Sequence, residues 1–130
     1  MEKKILIVDD EKDVLDLMEK GLTKHGFEVI TACDGLQAKD RILKDKPDVI
    51  ILDLIMPNLD GWGVLKWLKS EAKLNIPTII LSAKGELDDM KRGYNLEADT
   101  YLVKPLTVDD ILGGIHAVCT LGAEGNEPSS

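Results

Sequence analysis

An alternation of short apolar runs with segments of helical period constrains this chain more than any other feature. Four runs are rich in β-branched residues and almost free of polar interruption, which is typical of strands buried on both faces of a parallel sheet. A fifth run partly alternates with polar residues, which favours a more exposed strand nearer an edge. The buried runs are 5–8, 49–52, 78–81 and 101–103, and the alternating run is 27–31.

Between these runs, apolar residues recur with the period of an α-helix. The helical segments are 14–22, 36–43, 64–68, 86–96 and 108–119. Segment 86–96 has the fewest apolar residues and predicts a helix with a mostly solvated face. Strict alternation of strands and helices predicts an α/β fold, a doubly wound five-stranded parallel sheet with five helices on its two faces.

The length of the chain predicts a single domain. Its 130 residues are enough for one hydrophobic core and too few for two ordinary ones. From Leu121 onward the composition is that of a linker. We therefore expect a domain over residues 1–120 and a linker or C-terminal tail over 121–130.

Charge and apolar content exclude several classes of function. The 16 basic and 24 acidic residues give a net charge of −8, which argues against direct contact with nucleic acid. No apolar run approaches the roughly 18 to 20 residues that a membrane span requires. Cys33 and Cys119 lie far apart in the sequence and predict two reduced thiols. We expect a cytoplasmic protein without membrane contact.

Polar residues follow the predicted strands where each one ends. Asp9 and Asp10 follow the first run, Asp53 the third, Ser82 the fourth and Lys104 the fifth. Functional groups of doubly wound sheets gather at the carboxyl ends of the strands. If the first and third strands are neighbours, the three aspartates converge, and their repulsion is relieved by a proton or a divalent cation. Oxygen-only ligands of this kind suit Mg²⁺.

Each of these residues alone also has an ordinary structural interpretation. Asp10 fits a helix N-cap, Asp53 a turn residue at a strand end, and Lys104 with its following proline a simple turn. Their joint placement at the ends of four strands favours a common site.

Four motifs fall in order at these strand ends: ILIVDDE at 5–11, DLIMPNLDG at 53–61, SA at 82–83 and YLVKP at 101–105. With them the chain resembles the response-regulator receiver domains of two-component signalling over about residues 3–120. The resemblance implies a flavodoxin-like three-layer sandwich with strand order 2-1-3-4-5.

The resemblance also implies a chemistry. Asp53 is then the phosphoacceptor, and Mg²⁺ is held by Asp9, Asp10, Asp53 and the backbone carbonyl of Ile55. Such a domain catalyses only its own phosphotransfer and self-dephosphorylation, so we expect a signalling domain and not an enzyme that acts on a separate substrate.

Further roles follow for the residues of the last two strands. Ser82 and Lys104 would each bind a phosphoryl oxygen, and Ser82 with Tyr101 would form the switch. The implied partners are a sensor histidine kinase or phosphotransfer protein and, at the face of the fourth helix, fifth strand and fifth helix, an output domain or downstream protein.

Other classes of protein fit the sequence less well. A haloacid-dehalogenase-type phosphatase needs a second acid where this chain has Ile55, and a flavodoxin needs a phosphate-binding loop where it has Asp9 and Asp10. The serious alternative is a receiver-like adaptor that binds partners without being phosphorylated.

Overall fold

The computed structural model of the protein describes residues 3–56, 58–83, 98–104 and 107–126. They form strands β1 (Lys4–Val8), β2 (Glu28–Ala32), β3 (Val49–Asp53), β4 (Thr78–Ser82) and β5 (Thr100–Val103), and helices α1 (Lys12–Lys24), α2 (Gly35–Asp45), α3 (Gly61–Ser70) and α4 (Val108–Asn126). Each strand falls within two residues of a predicted run. The predicted helix 86–96 lies outside the described residues.

The five strands form one parallel sheet in the order β2-β1-β3-β4-β5. This order confirms the predicted doubly wound, flavodoxin-like architecture. β1 and β3 lie side by side, with Val8 opposite Leu52. The order therefore reverses between the first and third strands, where such folds place their sites.

Alternation along the strands divides the core into two clusters. Leu6, Ile50 and Ile80 pack on one face with residues of α2 and α3, which we call the α2–α3 cluster. Ile7 and Ile51 pack on the other face with residues of α1 and α4, which we call the α1–α4 cluster. Because neighbouring strand residues point to opposite faces, an unbroken apolar run fills both clusters.

The edges of the sheet confirm one prediction and correct another. β2 is an edge strand and is only partly buried, as its alternating pattern predicts. The prediction that 101–103 is buried on both faces is wrong: Tyr101 and Leu102 are half-buried and Val103 is 47% exposed. β5 has β4 as its neighbour on one side and forms the other edge.

The last helix is longer than its apolar pattern predicts. α4 continues from Cys119 to Asn126, because Leu121, Ala123 and Glu124 are good helix formers despite two glycines among them. The first part of the predicted linker is therefore helical, and the domain boundary after residue 120 stays a prediction.

Both cysteines are free thiols, as expected, and Cys33 is exposed. Among the helices of the described residues, none combines the length and apolar character needed to cross a membrane.

Candidate functional site

Three aspartates meet at the carboxyl ends of β1 and β3, as the sequence predicts. Asp9 follows the last residue of β1 and Asp53 ends β3, so the pairing of these strands sets the two side by side. Asp9 is fully buried and Asp53 is 6% exposed, whereas Asp10 is exposed. One carboxylate oxygen from each lies within 4.8 Å of the others.

The turn into α1 fixes the orientation of Asp9. The Asp9 amide donates to the carbonyl of Ala32 at 3.1 Å, and its Oδ1 accepts the Glu11 amide at 2.9 Å. The N-cap residue of α1 is Glu11, whose side chain makes no capping hydrogen bond. The N-cap interpretation of Asp10 is therefore wrong, and its side chain remains available to the pocket.

Lys104 connects the acidic groups. Its Nζ lies 3.0 Å from Asp9 Oδ2, 3.4 Å from Asp53 Oδ1 and 3.6 Å from Glu11 Oε1. Burial lowers the pKa of Lys104, but its hydrogen bond to Asp9 and the charges of Asp9 and Asp53 outweigh that effect and raise it. The lysine therefore stays charged. The contact of Glu11 with Lys104 was not predicted from the sequence, where its signal is that Glu11 is the third acid of the run that begins at Asp9.

Asp53 is poised between its charged and neutral forms. Burial, and then the negative charge of Asp9, raise the pKa of its carboxyl group from 3.8 to about 7, although Lys104 acts in the opposite direction. Near neutral pH the protein thus holds a carboxylate whose ionisation would be favoured by any further positive charge in the pocket.

Asp10 and Asp53 open onto a pocket of about 360 Å³. Its lining residues are Asp10, Glu11, Asp53, Ile55, Ala83 and Lys104. Ile55 is 49% exposed and lies two residues beyond Asp53; the binding of Mg²⁺ by its backbone carbonyl stays a prediction. The side chain that Ala83 contributes to this lining is small.

Ser82 ends β4 beside this pocket. Its side chain is fully buried, and within the described residues its hydroxyl has no hydrogen-bond partner. A buried hydroxyl without a partner carries a desolvation cost of about 1–3 kcal/mol, which an incoming acceptor would relieve. Its carbonyl accepts the Lys104 amide at 2.7 Å, so the two residues are joined through the backbone.

The donor set fits magnesium. Three carboxylates from Asp9, Asp10 and Asp53 converge within a distance that one cation can span, and all of their donor atoms are hard oxygens. The exposed position of Asp10 and the open pocket leave room for the waters that magnesium usually retains.

Comparison with known families agrees with this geometry. The family model described as the response regulator receiver domain matches residues 5–116. The chain belongs to this family. A receiver domain is a signalling domain that is phosphorylated on an aspartate in two-component systems, and histidine kinases are its partners.

The receiver domain resembles both curated relatives and solved structures. It is 41% identical over 118 residues to the alkaline phosphatase synthesis transcriptional regulatory protein PhoP of Bacillus subtilis, covering 91% of this chain and 49% of that protein. It is 40% identical over 115 residues to the transcriptional regulatory protein PrrA of Mycobacterium tuberculosis, covering 88% and 49%. The chain thus spans about half the length of the curated relatives it matches.

A solved structure shows the same fold. The receiver domain of Francisella response regulator 1452 superposes with a TM-score of 0.80 at 32% identity, covering 89% of this chain and 95% of that one. Because the matching family model is that of the response regulator receiver domain, the comparisons favour a phosphorylated receiver over the adaptor alternative.

Proposed function

We propose that this receiver domain accepts a phosphoryl group on Asp53 from a histidine kinase, a phosphotransfer protein or a small phosphodonor. The observation that carries the proposal is the position of Asp53, which lies within reach of two further carboxylates and 3.4 Å from the Lys104 ammonium group. Asp9, Asp10, Asp53 and the carbonyl of Ile55 would hold Mg²⁺.

The chemistry is a displacement at phosphorus. An Asp53 carboxylate oxygen forms the new bond to phosphorus while the bond to the donor's leaving atom breaks, and that atom keeps the electron pair. Magnesium, when bound, supplies positive charge that keeps Asp53 ionised and offsets the phosphoryl oxygens. Lys104 pairs with another of these oxygens, and its contacts with Asp9 and Asp53 already hold it beside the reacting carboxylate.

Ser82 and Tyr101 would convert this chemistry into a change of surface. The Ser82 hydroxyl, which has no hydrogen-bond partner in the part of the chain that the structure describes, is suited to donate a hydrogen bond to a phosphoryl oxygen. Tyr101 is half-buried on β5 and packs against the α2–α3 cluster. A shift of Ser82 towards the phosphoryl group would let Tyr101 turn further inward and alter the surface of β5 and α4, where an output domain or downstream protein would bind.

We further propose that the domain acts only on its own phosphoryl group, through transfer and self-dephosphorylation. Its net charge of −8 disfavours contact with phosphate backbones and with anionic lipid surfaces. The family resemblance favours the cytoplasm as its compartment.

The test is to incubate the protein with acetyl phosphate and magnesium and to measure its intact mass. We expect a gain of one phosphoryl group that is absent in Asp53→Asn and abolished by chelation. Asp16→Asn, which removes an exposed carboxylate from α1, is the matched control and should be phosphorylated normally. An unmodified wild-type protein, or equal modification of Asp53→Asn, would overturn the proposal.

A further inference from the structure

Asn58 lies in the loop between Asp53 and α3 and has an unusual backbone conformation. Its φ of 68° places it in the left-handed region, which asparagine tolerates better than most residues. Its side-chain Nδ2 donates to Asp34 Oδ2 at 3.0 Å, across 24 positions of sequence. The loop after the phosphoacceptor strand is therefore tied to the start of α2.

Asp34, which accepts this hydrogen bond, also accepts one from the start of α2. Its Oδ1 accepts the Gln37 amide at 2.8 Å and so caps α2. The Gln37 side chain in turn accepts the Cys33 amide at 3.1 Å. The hydrogen bond from the Gln37 amide, with that from Asn58, holds the pKa of Asp34 below its usual value despite the opposing effect of burial. Asp34 is thus ionised at neutral pH and accepts hydrogen bonds with both oxygens.

Backbone packing reinforces the same connection. A Cβ at Gly35, the first residue of α2, would lie 2.1 Å from the carbonyl oxygen of Leu59. The loop backbone therefore rests directly on the helix, which no larger residue at this position would permit. Residues 58 and 59 are held against α2 by a side-chain hydrogen bond and by van der Waals contact.

The other end of the loop closes on Asp53 itself. The Gly61 amide donates to the Leu54 carbonyl at 2.9 Å, and a Cβ at Gly61 would lie 2.5 Å from the Asp53 carbonyl oxygen. The loop is thus fixed at Asp53 on one side and at α2 on the other. Ile55, which lines the pocket, lies between these two points.

We propose that the hydrogen bond between Asp34 and Asn58 positions the phosphoacceptor loop and thereby sets the affinity of the site for magnesium. Neither side chain lines the pocket, so both act through the backbone that carries Ile55. The effect on magnesium affinity rests on the proposed function. The hydrogen bond that joins the loop to α2 is present in the protein without metal and can be tested separately.

The test compares variants that break the hydrogen bond with variants that keep it. Asn58→Gly preserves the left-handed backbone and removes the donor, and Asp34→Ser preserves a capping oxygen that is too short to reach Asn58. We expect each to weaken magnesium binding by about threefold to tenfold, followed by tryptophan fluorescence. Because both act on one interaction, the double variant should be no weaker than either single variant.

Two further variants separate positioning from general destabilisation. In Asp34→Asn the new side-chain oxygen can still cap α2, and its NH₂ group can donate to the side-chain oxygen of Asn58 once the Asn58 amide flips. This variant should therefore bind magnesium with near wild-type affinity. Asn75→Gly makes the same substitution in the exposed loop before β4, at the opposite end of the sheet, and should leave the affinity unchanged. Additive losses in the double variant, or loss in the control equal to that in Asn58→Gly, would overturn the inference.

Amide exchange of the metal-free protein gives a second readout. Exchange at 54–56 and 58–60 should be faster in Asn58→Gly and in Asp34→Ser than in the wild type, with unchanged exchange in the strands. Unaltered exchange in the loop would refute the positioning role even if magnesium binds as proposed. If the wild-type protein bound no magnesium, the proposed function would fail, and the exchange data would still decide whether the hydrogen bond holds the loop.

Discussion

Replacing Asp53 by asparagine should stabilise the metal-free protein at neutral and alkaline pH. A pKa that rises from 3.8 to about 7 means that folding disfavours the ionised form of this carboxyl group. One pKa unit corresponds to about 1.4 kcal/mol, so the cost of the charge reaches about 4 kcal/mol as an upper limit. Water in the open pocket reduces this cost, and we expect Asp53→Asn to raise the free energy of unfolding by about 2 to 3 kcal/mol at pH 8.

The pH dependence of the stability difference between wild type and Asp53→Asn tests whether the charge of Asp53 causes it. Below pH 3.8 the carboxyl group is protonated in the folded and unfolded states, so it contributes no difference between wild type and variant. Between 3.8 and about 7 the folded state retains a proton that the unfolded state has lost, and wild-type stability falls as pH rises. Above that range the difference is constant. Effects of the substitution that do not involve charge are the same at every pH.

Urea unfolding in the presence of a chelator, followed by circular dichroism at pH 4 and pH 8, measures this difference. With a urea dependence of about 1–3 kcal/mol per molar, the variant's midpoint should lie roughly 1 M or more above that of the wild type at pH 8. Saturating magnesium should place the urea midpoint of the wild type above that of Asp53→Asn, because bound magnesium stabilises the folded wild type and the variant lacks one of the proposed ligands. A stability difference that is the same at both pH values, or a variant less stable at pH 8, would refute the electrostatic reasoning.

Three further predictions concern the cation, the lysine and the lifetime of the phosphoryl group. Magnesium should change the fluorescence of Trp62, which follows Gly61, in a saturable titration; Asp10→Asn should weaken binding at least tenfold, and equal affinity would exclude Asp10 as a ligand. Lys104→Ala should still be phosphorylated but should lose the phosphorylation-dependent change in amide exchange of β5, because in the proposed mechanism the lysine would link the phosphoryl group to that strand. An undiminished change would contradict this. Ile55 offers bulk but no hydrogen bond to an attacking water, and Lys84, which lies outside the described residues, cannot act as a base while charged. The wild type should therefore dephosphorylate about tenfold more slowly than an Ile55→Asn, Lys84→Glu double variant, which corresponds to about 1.4 kcal/mol in the activation barrier. Phosphate release measures the rate, and equal lifetimes of the two phosphorylated proteins would contradict the prediction.

The strands and the convergence of Asp9, Asp10 and Asp53 could be predicted from the sequence, because they depend on local apolar patterns and on the position of strand ends in a parallel sheet. Apolar runs mark the strands, and parallel strands place their carboxyl ends at one edge of the sheet. The resemblance supplied the strand order that makes Asp9 and Asp53 neighbours. The roles of Ile55 and Ser82 follow from that resemblance and stay predictions.

Other features depend on three-dimensional relations that no local pattern contains. The apolar run at 101–103 does not reveal that its strand has a neighbour on one side only, so its burial was overestimated. The ion pair between Lys104 and Glu11 requires the relative placement of two distant loops. The hydrogen bond from Asn58 to Asp34 was not predicted, because it depends on the left-handed backbone of Asn58 and on the close contact between Gly35 and Leu59.

The division of the core into two clusters bears on how signals leave such a site. A substitution on the α1 and α4 side alters packing that the α2 and α3 side does not share, because the sheet separates the two layers. One helical layer can therefore diversify for new partners while the other keeps its shape. Asp9 and Asp53 continue strands whose residues alternate between the two layers, so a single chemical event at this edge of the sheet can reach either of them.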